Sequence, residues 1–255
     1  MDRFIELGYF TSVPRANARL RQLFDAGMLR RAFVAEGPVS AKCVYLVGPK
    51  AADVVAGELD IDRVDVLRQS RRDVASMFLS HSLASLDLRL AIRRDAERCG
   101  VAIEAYLSEG ECRHEFDIRS GATVSRVVVK PDAAAVLSYG SSTVAALIEC
   151  DMAHVSAPQL RRSFLRYAQY VRLGIFRETY GEGECQVLLA TSAGARRVEN
   201  LIALTADIPV PRIRFTTFGM IRDRGFFGPI WECTRKNGHA PLFDPSDGSV
   251  GEVRP

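Results

Sequence analysis

The chain predicts an α+β fold: an amino-terminal winged helix-turn-helix followed by a mixed-sheet α/β domain. Three observations carry this. A helix with arginines along its outer face runs directly into two β-prone segments within the first 50 residues. Residues 61–100 keep a helical period. From Val101 the period shortens to that of strands, and strands then alternate with helices, the order expected of a mixed sheet with helices packed on it.

The elements follow in order. Thr11-Ser12-Val13-Pro14 is a helix start, with a hydroxyl cap and a proline in the first turn. The next residues place Ala16, Leu20, Leu23 and Phe24 on one face and Arg15, Arg19 and Gln22 on the other, and Gly27 ends the helix. Met28–Val34 and Lys42–Val47, separated by the turn-forming residues 35–40, read as a hairpin, and a short helix begins near Pro49. A helix entering the major groove with a hairpin wing on the adjacent backbone is a DNA-binding outline. It assigns Arg15, Asn17, Arg19 and Gln22 to the recognition helix and Arg30, Arg31 and Lys42 to the wing. The long helical pattern over 61–100 buries Met77, Leu79, Leu83, Leu86, Leu90 and Ile92, with His81 as a core histidine.

Strands are expected over 101–108, 112–118, 125–130, 133–138, 143–152, 186–191 and 212–218, with helices over 158–173 and 195–206. The tail after Gly225, rich in Gly, Pro and Asp, is expected to wrap or fray. The organisation is therefore a DNA-binding domain over 1–60, a helical connector over 61–100, an α/β domain over 101–225 and a tail over 226–255.

Composition narrows the function classes. An apolar fraction of 47% with 25% charged residues excludes wholesale disorder and fibrous repeats. No apolar run reaches the roughly 20 residues that span a bilayer, and the first residues lack a signal-peptide core, so a cytoplasmic location with no membrane partner is expected. The six cysteines are scattered without a CxxC pair and read as core thiols rather than zinc ligands. Net charge is only +3, but residues 1–50 hold eight basic side chains against four acidic ones, +4, leaving −1 for the remainder. The basic excess thus sits in the segment expected to face DNA.

The second chemical feature is acidic. Val127-Val-Val-Lys-Pro-Asp132 precedes Leu147-Ile-Glu-Cys-Asp151. Strand alternation puts Glu149 and Asp151 on one face, and Lys130 and Asp132 on another common face if the strand runs through Pro131. Three carboxylates at strand ends suit Mg²⁺ or Mn²⁺, with Asp132 and Glu149 as metal ligands, and such an ion activates water for phosphodiester cleavage. This is the PD-(D/E)xK nuclease pattern, with Asp132, Glu149, Asp151 and Lys130 as catalytic candidates. Asp151 stands where that pattern has lysine, and Lys130 is the candidate replacement.

Several segments together resemble the replication-relaxation family, MobC-like proteins of plasmids and other mobile elements. They are Leu20–Arg31 with Val44-Tyr45-Leu46, His81 and Asp87, Ala105–Glu109, Pro131-Asp132, and Leu147–Asp151 with Leu160 and Tyr167. The resemblance covers the chain to about residue 220, and the order of the motifs carries it. It implies a winged helix, a domain akin to the restriction-endonuclease fold, and a role in replication, mobilisation or DNA relaxation. Family members carry lysine four residues before the last motif's tyrosine. This chain has Ser163 there, and Tyr106 or Leu107 where the family tends to have tryptophan.

The expected function is therefore a DNA-binding protein of a mobile element, acting in replication, mobilisation or transcriptional control with an inactive nuclease-like domain. The alternative is a Mg²⁺-dependent endonuclease or nickase. Double-stranded DNA is the expected partner, with relaxase or replication proteins and a second copy of the chain as further ones.

Overall fold

The computed structural model describes residues 2–6, 8–35, 41–72, 76–121, 123–181, 183–208, 211–233 and 236–243. The chain divides into two compact units, Met1–Leu90 and Ala91–Pro255, and its class is α+β.

In the first unit a short helix α1 (Asp2–Glu6) precedes α2 (Val13–Asp25), which has Pro14 in its first turn as the sequence indicates. Ala16 and Leu20 are buried, so α2 packs through the face that its apolar spacing dictates. The helix closes when Met28 N–H donates to Leu23 O (2.9 Å), with Gly27 left-handed at φ +73°. Strand β1 (Leu29–Ala35) then pairs antiparallel with β2 (Ala41–Val47), Leu29 opposite Val47. Gly48 seals the junction. A Cβ there would lie 2.5 Å from the carbonyl oxygen of Gly27, so only glycine lets the end of β2 approach the end of α2.

A 3₁₀ turn (Pro49–Ala51) leads into α3 (Ala52–Leu59), then α4 (Arg63–Arg72). The single helical pattern expected over 61–100 is instead two helices, α4 and the long α5 (Ser76–Cys99). Of the expected wing turn, residues 36–40 lie outside the described residues, as do the side chains of Lys42 and Met77.

The second unit is built on a sheet. Its described strands are β3 (Ala102–Ser108), β6 (Ala133–Tyr139), β7 (Ser142–Asp151), β8 (Glu184–Thr191), β9 (Arg212–Thr217), β10 (Trp231–Cys233) and β11 (Lys236–Ala240), in the order β11-β10-β9-β8-β7-β6-β3. The hairpin β4 (His114–Ser120) with β5 (Thr123–Val129) forms a separate two-stranded sheet. The core strands β7, β8 and β9 run parallel. Helices α6 (Ala157–Arg172) and α7 (Ile175–Tyr180) make the first crossover and α8 (Ala195–Thr205) the second, while α9 (Phe218–Arg224) follows β9. Leu147, Val187, Leu189 and Phe215 from the sheet meet Phe164, Tyr167, Val198 and Leu201 from the helices in one core.

One expectation fails here for a clear reason. The chain does not continue as one strand through Pro131. It leaves the β4–β5 hairpin after Val129 and joins the main sheet at Ala133, so pleat alternation does not align Lys130 with Asp132. Of the two outcomes expected after Gly225, the segment through residue 243 wraps rather than frays, since β10 and β11 extend the sheet edge and Phe226, Phe227, Ile230, Trp231, Leu242 and Phe243 are buried. Asp95 of α5 accepts the Phe226 N–H (2.8 Å) and so pins this return.

Candidate functional site

The structure places the sequence-predicted residues in two groups. The first lies in the first unit. Arg15, Asn17, Arg19 and Gln22 are all exposed on α2; Arg15, Arg19 and Gln22 share one face away from buried Ala16 and Leu20, and Asn17 lies about 200° around the helix from Arg15. Their polar ends engage one another only lightly: Arg15 Nη1 donates to Thr11 Oγ1 (3.2 Å) and Arg19 Nη1 to Gln22 Oε1 (3.5 Å). Both guanidinium groups therefore remain available to a ligand.

The two hairpin arginines behave oppositely because adjacent strand residues point to opposite faces. Arg30 turns inward, donating through Nη2 to Ser70 O (2.6 Å) and Ser70 Oγ (2.9 Å), while the Ser70 hydroxyl donates to Val47 O (2.6 Å). It ties β1, β2 and α4 together, so the Arg30 guanidinium is engaged within the unit. Arg31 turns outward and stays exposed, its guanidinium carbon 4.0 Å from the Phe24 ring centre and 5.4 Å from that of Tyr45. Lys42 occupies β2 opposite Val34.

The second group is the acidic cluster at the carboxyl end of β7. Asp132 Oδ2 accepts the Cys150 N–H (2.7 Å) and Asp132 N–H donates to Ile148 O (3.0 Å), which holds Asp132 beside Glu149. Tyr167 of α6 donates its hydroxyl to Glu149 Oε1. Burial and the neighbouring charge of Asp132 push the Glu149 carboxyl well above the usual carboxylate range, partly offset by the Tyr167 hydrogen bond. Burial, then the Glu149 charge, raises Tyr167 likewise. Cys112, whose thiol donates to Ser108 O (3.1 Å) and Pro131 O (3.3 Å), is pushed up to about 12, chiefly by burial, and Cys150 also rises. These thiols are inert packing.

Asp151 points along the same face as Glu149 but is fully engaged elsewhere. It accepts from Thr191 Oγ1 (2.9 Å), Arg197 Nε (2.9 Å) and the Ala153 N–H (3.0 Å). Arg197 in turn donates to Val155 O (2.7 Å), so the ion pair fastens α8 and the β7–α6 loop to the sheet. Lys130 pairs with Glu109 Oε1 at 2.5 Å.

The donor set does not fit a hard divalent ion as it stands. Glu149 would have to release Tyr167, and Asp151 would have to release Arg197. Among the described residues no three His, Cys, Asp or Glu side chains are grouped to hold a metal. The cluster instead resembles an internally satisfied polar junction.

Sequence reasoning reached Asp132, Glu149 and Asp151 but missed Arg197, Thr191 and Cys112. The stripe Leu160, Phe164, Tyr167 at helical spacing was the available signal that the phenol of α6 lies over the sheet. Arg197 carried none, since its partner is 46 residues away.

A family model described as replication-relaxation matches residues 3–184. No curated protein and no solved structure matches the chain. No helix among the described residues is long and apolar enough to cross a membrane.

Proposed function

The chain belongs to the replication-relaxation family, a membership that points to replication or mobilisation of a plasmid or mobile element, and from that premise we propose that it acts there by binding duplex DNA through a winged helix in its first unit. One observation carries the reading. Arg15, Arg19 and Gln22 form an exposed polar face on α2, with Asn17 exposed on the far side of the buried stripe, and a hairpin presenting Arg31 follows the helix directly. Arginine forks recognise guanine edges and phosphates, and asparagine or glutamine recognises adenine, so this face carries the side chains that read a major groove. Arg31 is held by Phe24 and Tyr45 and supplies a phosphate contact from the wing.

The second unit serves in this reading as a non-cleaving platform for a relaxase, a replication protein or a second copy of the chain. The observation that favours it over the nuclease reading is the engagement of three of the four catalytic candidates by other side chains, Lys130 by Glu109, Asp151 by Arg197 and Glu149 by Tyr167, while Asp132 accepts the Cys150 N–H. Supercoiled plasmid incubated with the protein and Mg²⁺ or Mn²⁺ should stay uncut. Nicking lost in Asp132→Ala would overturn this part.

Selection from random duplexes followed by fluorescence anisotropy over a salt series tests DNA binding. Affinity should fall steeply with salt, and the Arg15→Ala/Arg19→Ala double variant should lose affinity and lower the salt slope by about two. Wild-type affinity and slope in that variant would reject the assignment of α2.

A further inference from the structure

We infer that Phe33 is a nucleobase-contacting residue, the aromatic tip of a wing that engages base faces as well as phosphates. The inference rests on the DNA-binding reading above and deepens it. Phe33 lies in the middle of β1 with 68% of its surface exposed. A phenyl ring at a solvent-facing strand position forgoes the burial that its apolar area would gain. The hairpin does not need it for packing. Its other face carries Ala32, Val34, Val44 and Leu46, all partly buried, together with the Arg30–Ser70 anchor.

Alternation fixes the company Phe33 keeps. Arg31 and Phe33 share one face of β1, and their cross-strand partners are Tyr45 and Cys43. Cys43 is small and exposed, so it leaves the ring uncovered. Arg31 is positioned by its cation–π contacts to Phe24 and Tyr45, which place a fixed positive charge one strand step from the exposed ring. The basic face of α2 adds Arg15 and Arg19.

An exposed ring beside a positioned cation matches a polyanion that also offers flat aromatic surfaces, and nucleic acid has both. Two sources could supply an open base face: a duplex step wedged apart from the minor groove, or a single strand. The shared chemistry is stacking of one phenyl ring on one base, with the Arg31 guanidinium on the neighbouring phosphate.

The experiment uses the full chain with Phe33→Trp and Phe33→Ala. The only native tryptophan, Trp231, is buried in the second unit, so wild-type emission is the control for the new reporter. Short duplexes from the selection and their separated strands are titrated in parallel. Quenching of the Phe33→Trp emission by duplex identifies a wedged step, and quenching by the single strand alone identifies strand capture; either supports the inference. Phe33→Ala should weaken binding to the quenching probe by about tenfold, the size of one stacked base, without changing the salt slope.

Binding of both probes with no quenching, or wild-type affinity in Phe33→Ala, would overturn the inference while leaving the role of α2 intact. If the wild type binds neither probe, the DNA-binding reading itself fails. A change of oligomeric state in Phe33→Ala with unchanged DNA binding would reassign the ring to self-association and also overturn the inference.

Discussion

Replacing Asp151 by alanine separates the two meanings a carboxylate at this position can have. If it belongs to a catalytic centre, its loss costs activity and little stability, and removing crowded negative charge can even stabilise. If it is half of a buried ion pair, its loss strands a cation. The geometry gives the size of the second effect. The Asp151 side chain is 1% exposed and that of Arg197 is 17% exposed, with Nε to Oδ2 at 2.9 Å. Asp151 also accepts from buried Thr191 Oγ1 and from the Ala153 N–H. Removing one partner of such a pair costs about 3–5 kcal/mol. Part of that returns when the other partner goes too, because the stranded charge disappears. Asp151→Ala should therefore be destabilised by about that amount and Asp151→Ala/Arg197→Met by clearly less.

Urea unfolding followed by Trp231 emission measures this, since that indole sits in the second unit and donates to Phe226 O (2.8 Å). The midpoint should fall with the slope unchanged. An unfolding free energy within about 0.5 kcal/mol of wild type, or a wild-type midpoint raised by Mg²⁺ through Asp151, would refute the ion-pair account.

Three further outcomes follow. Glu149→Gln keeps an acceptor for Tyr167 and is neutral at every pH. The stability owed to the raised Glu149 is complete below the pKa of an unfolded glutamate, about 4.3, and is lost as pH rises through the elevated folded value, each tenfold change in proton affinity being worth about 1.4 kcal/mol. The variant should gain urea resistance relative to wild type as pH rises, and a constant difference across pH would contradict this. Arg30→Ala should cost about 1–3 kcal/mol by stranding the Ser70 interactions, seen as faster amide exchange in β1 and β2, with the DNA salt slope unchanged. A lowered salt slope would return Arg30 to the DNA face. Asp95→Ala should cost a similar amount, about 1–3 kcal/mol, by orphaning the buried Phe226 N–H, and should shift Trp231 emission to the red. An unshifted spectrum would show that the return segment holds without Asp95.

Periodicity and punctuation made most elements legible. The proline in the first turn of α2, the Gly27 stop, the strand alternation on either side of residues 36–40 and the period of each element from β7 to β9 are local signals, although the hydroxyl cap expected before α2 does not form, since Ser12 makes no side-chain cap hydrogen bond. What escaped was set at a distance. The edge strands β10 and β11 are short and rich in glycine and polar residues, and the neighbouring sheet edge supplies the order that their own composition lacks. The sheet switch at Lys130–Asp132 depends on β5 having β4 as a closer partner, which alternation within a single strand does not reveal.

The candidate site divides along the same line. Exposure of α2's arginines follows from helix geometry alone, because the buried stripe fixes the opposite face. The role of a carboxylate follows from what reaches it from other elements. Asp151 and Glu149 are two residues apart and identical in pattern, yet one meets an arginine from α8 and the other a phenol from α6. Paired carboxylates in a sequence therefore report a shared location. The cation that would make them a nuclease, or the internal donors that make them a junction, come from residues that sequence spacing does not join. Here each carboxylate meets a donor from a helix of its own unit, Arg197 for Asp151 and Tyr167 for Glu149, and that pairing is what the Asp151→Ala and Glu149→Gln variants test.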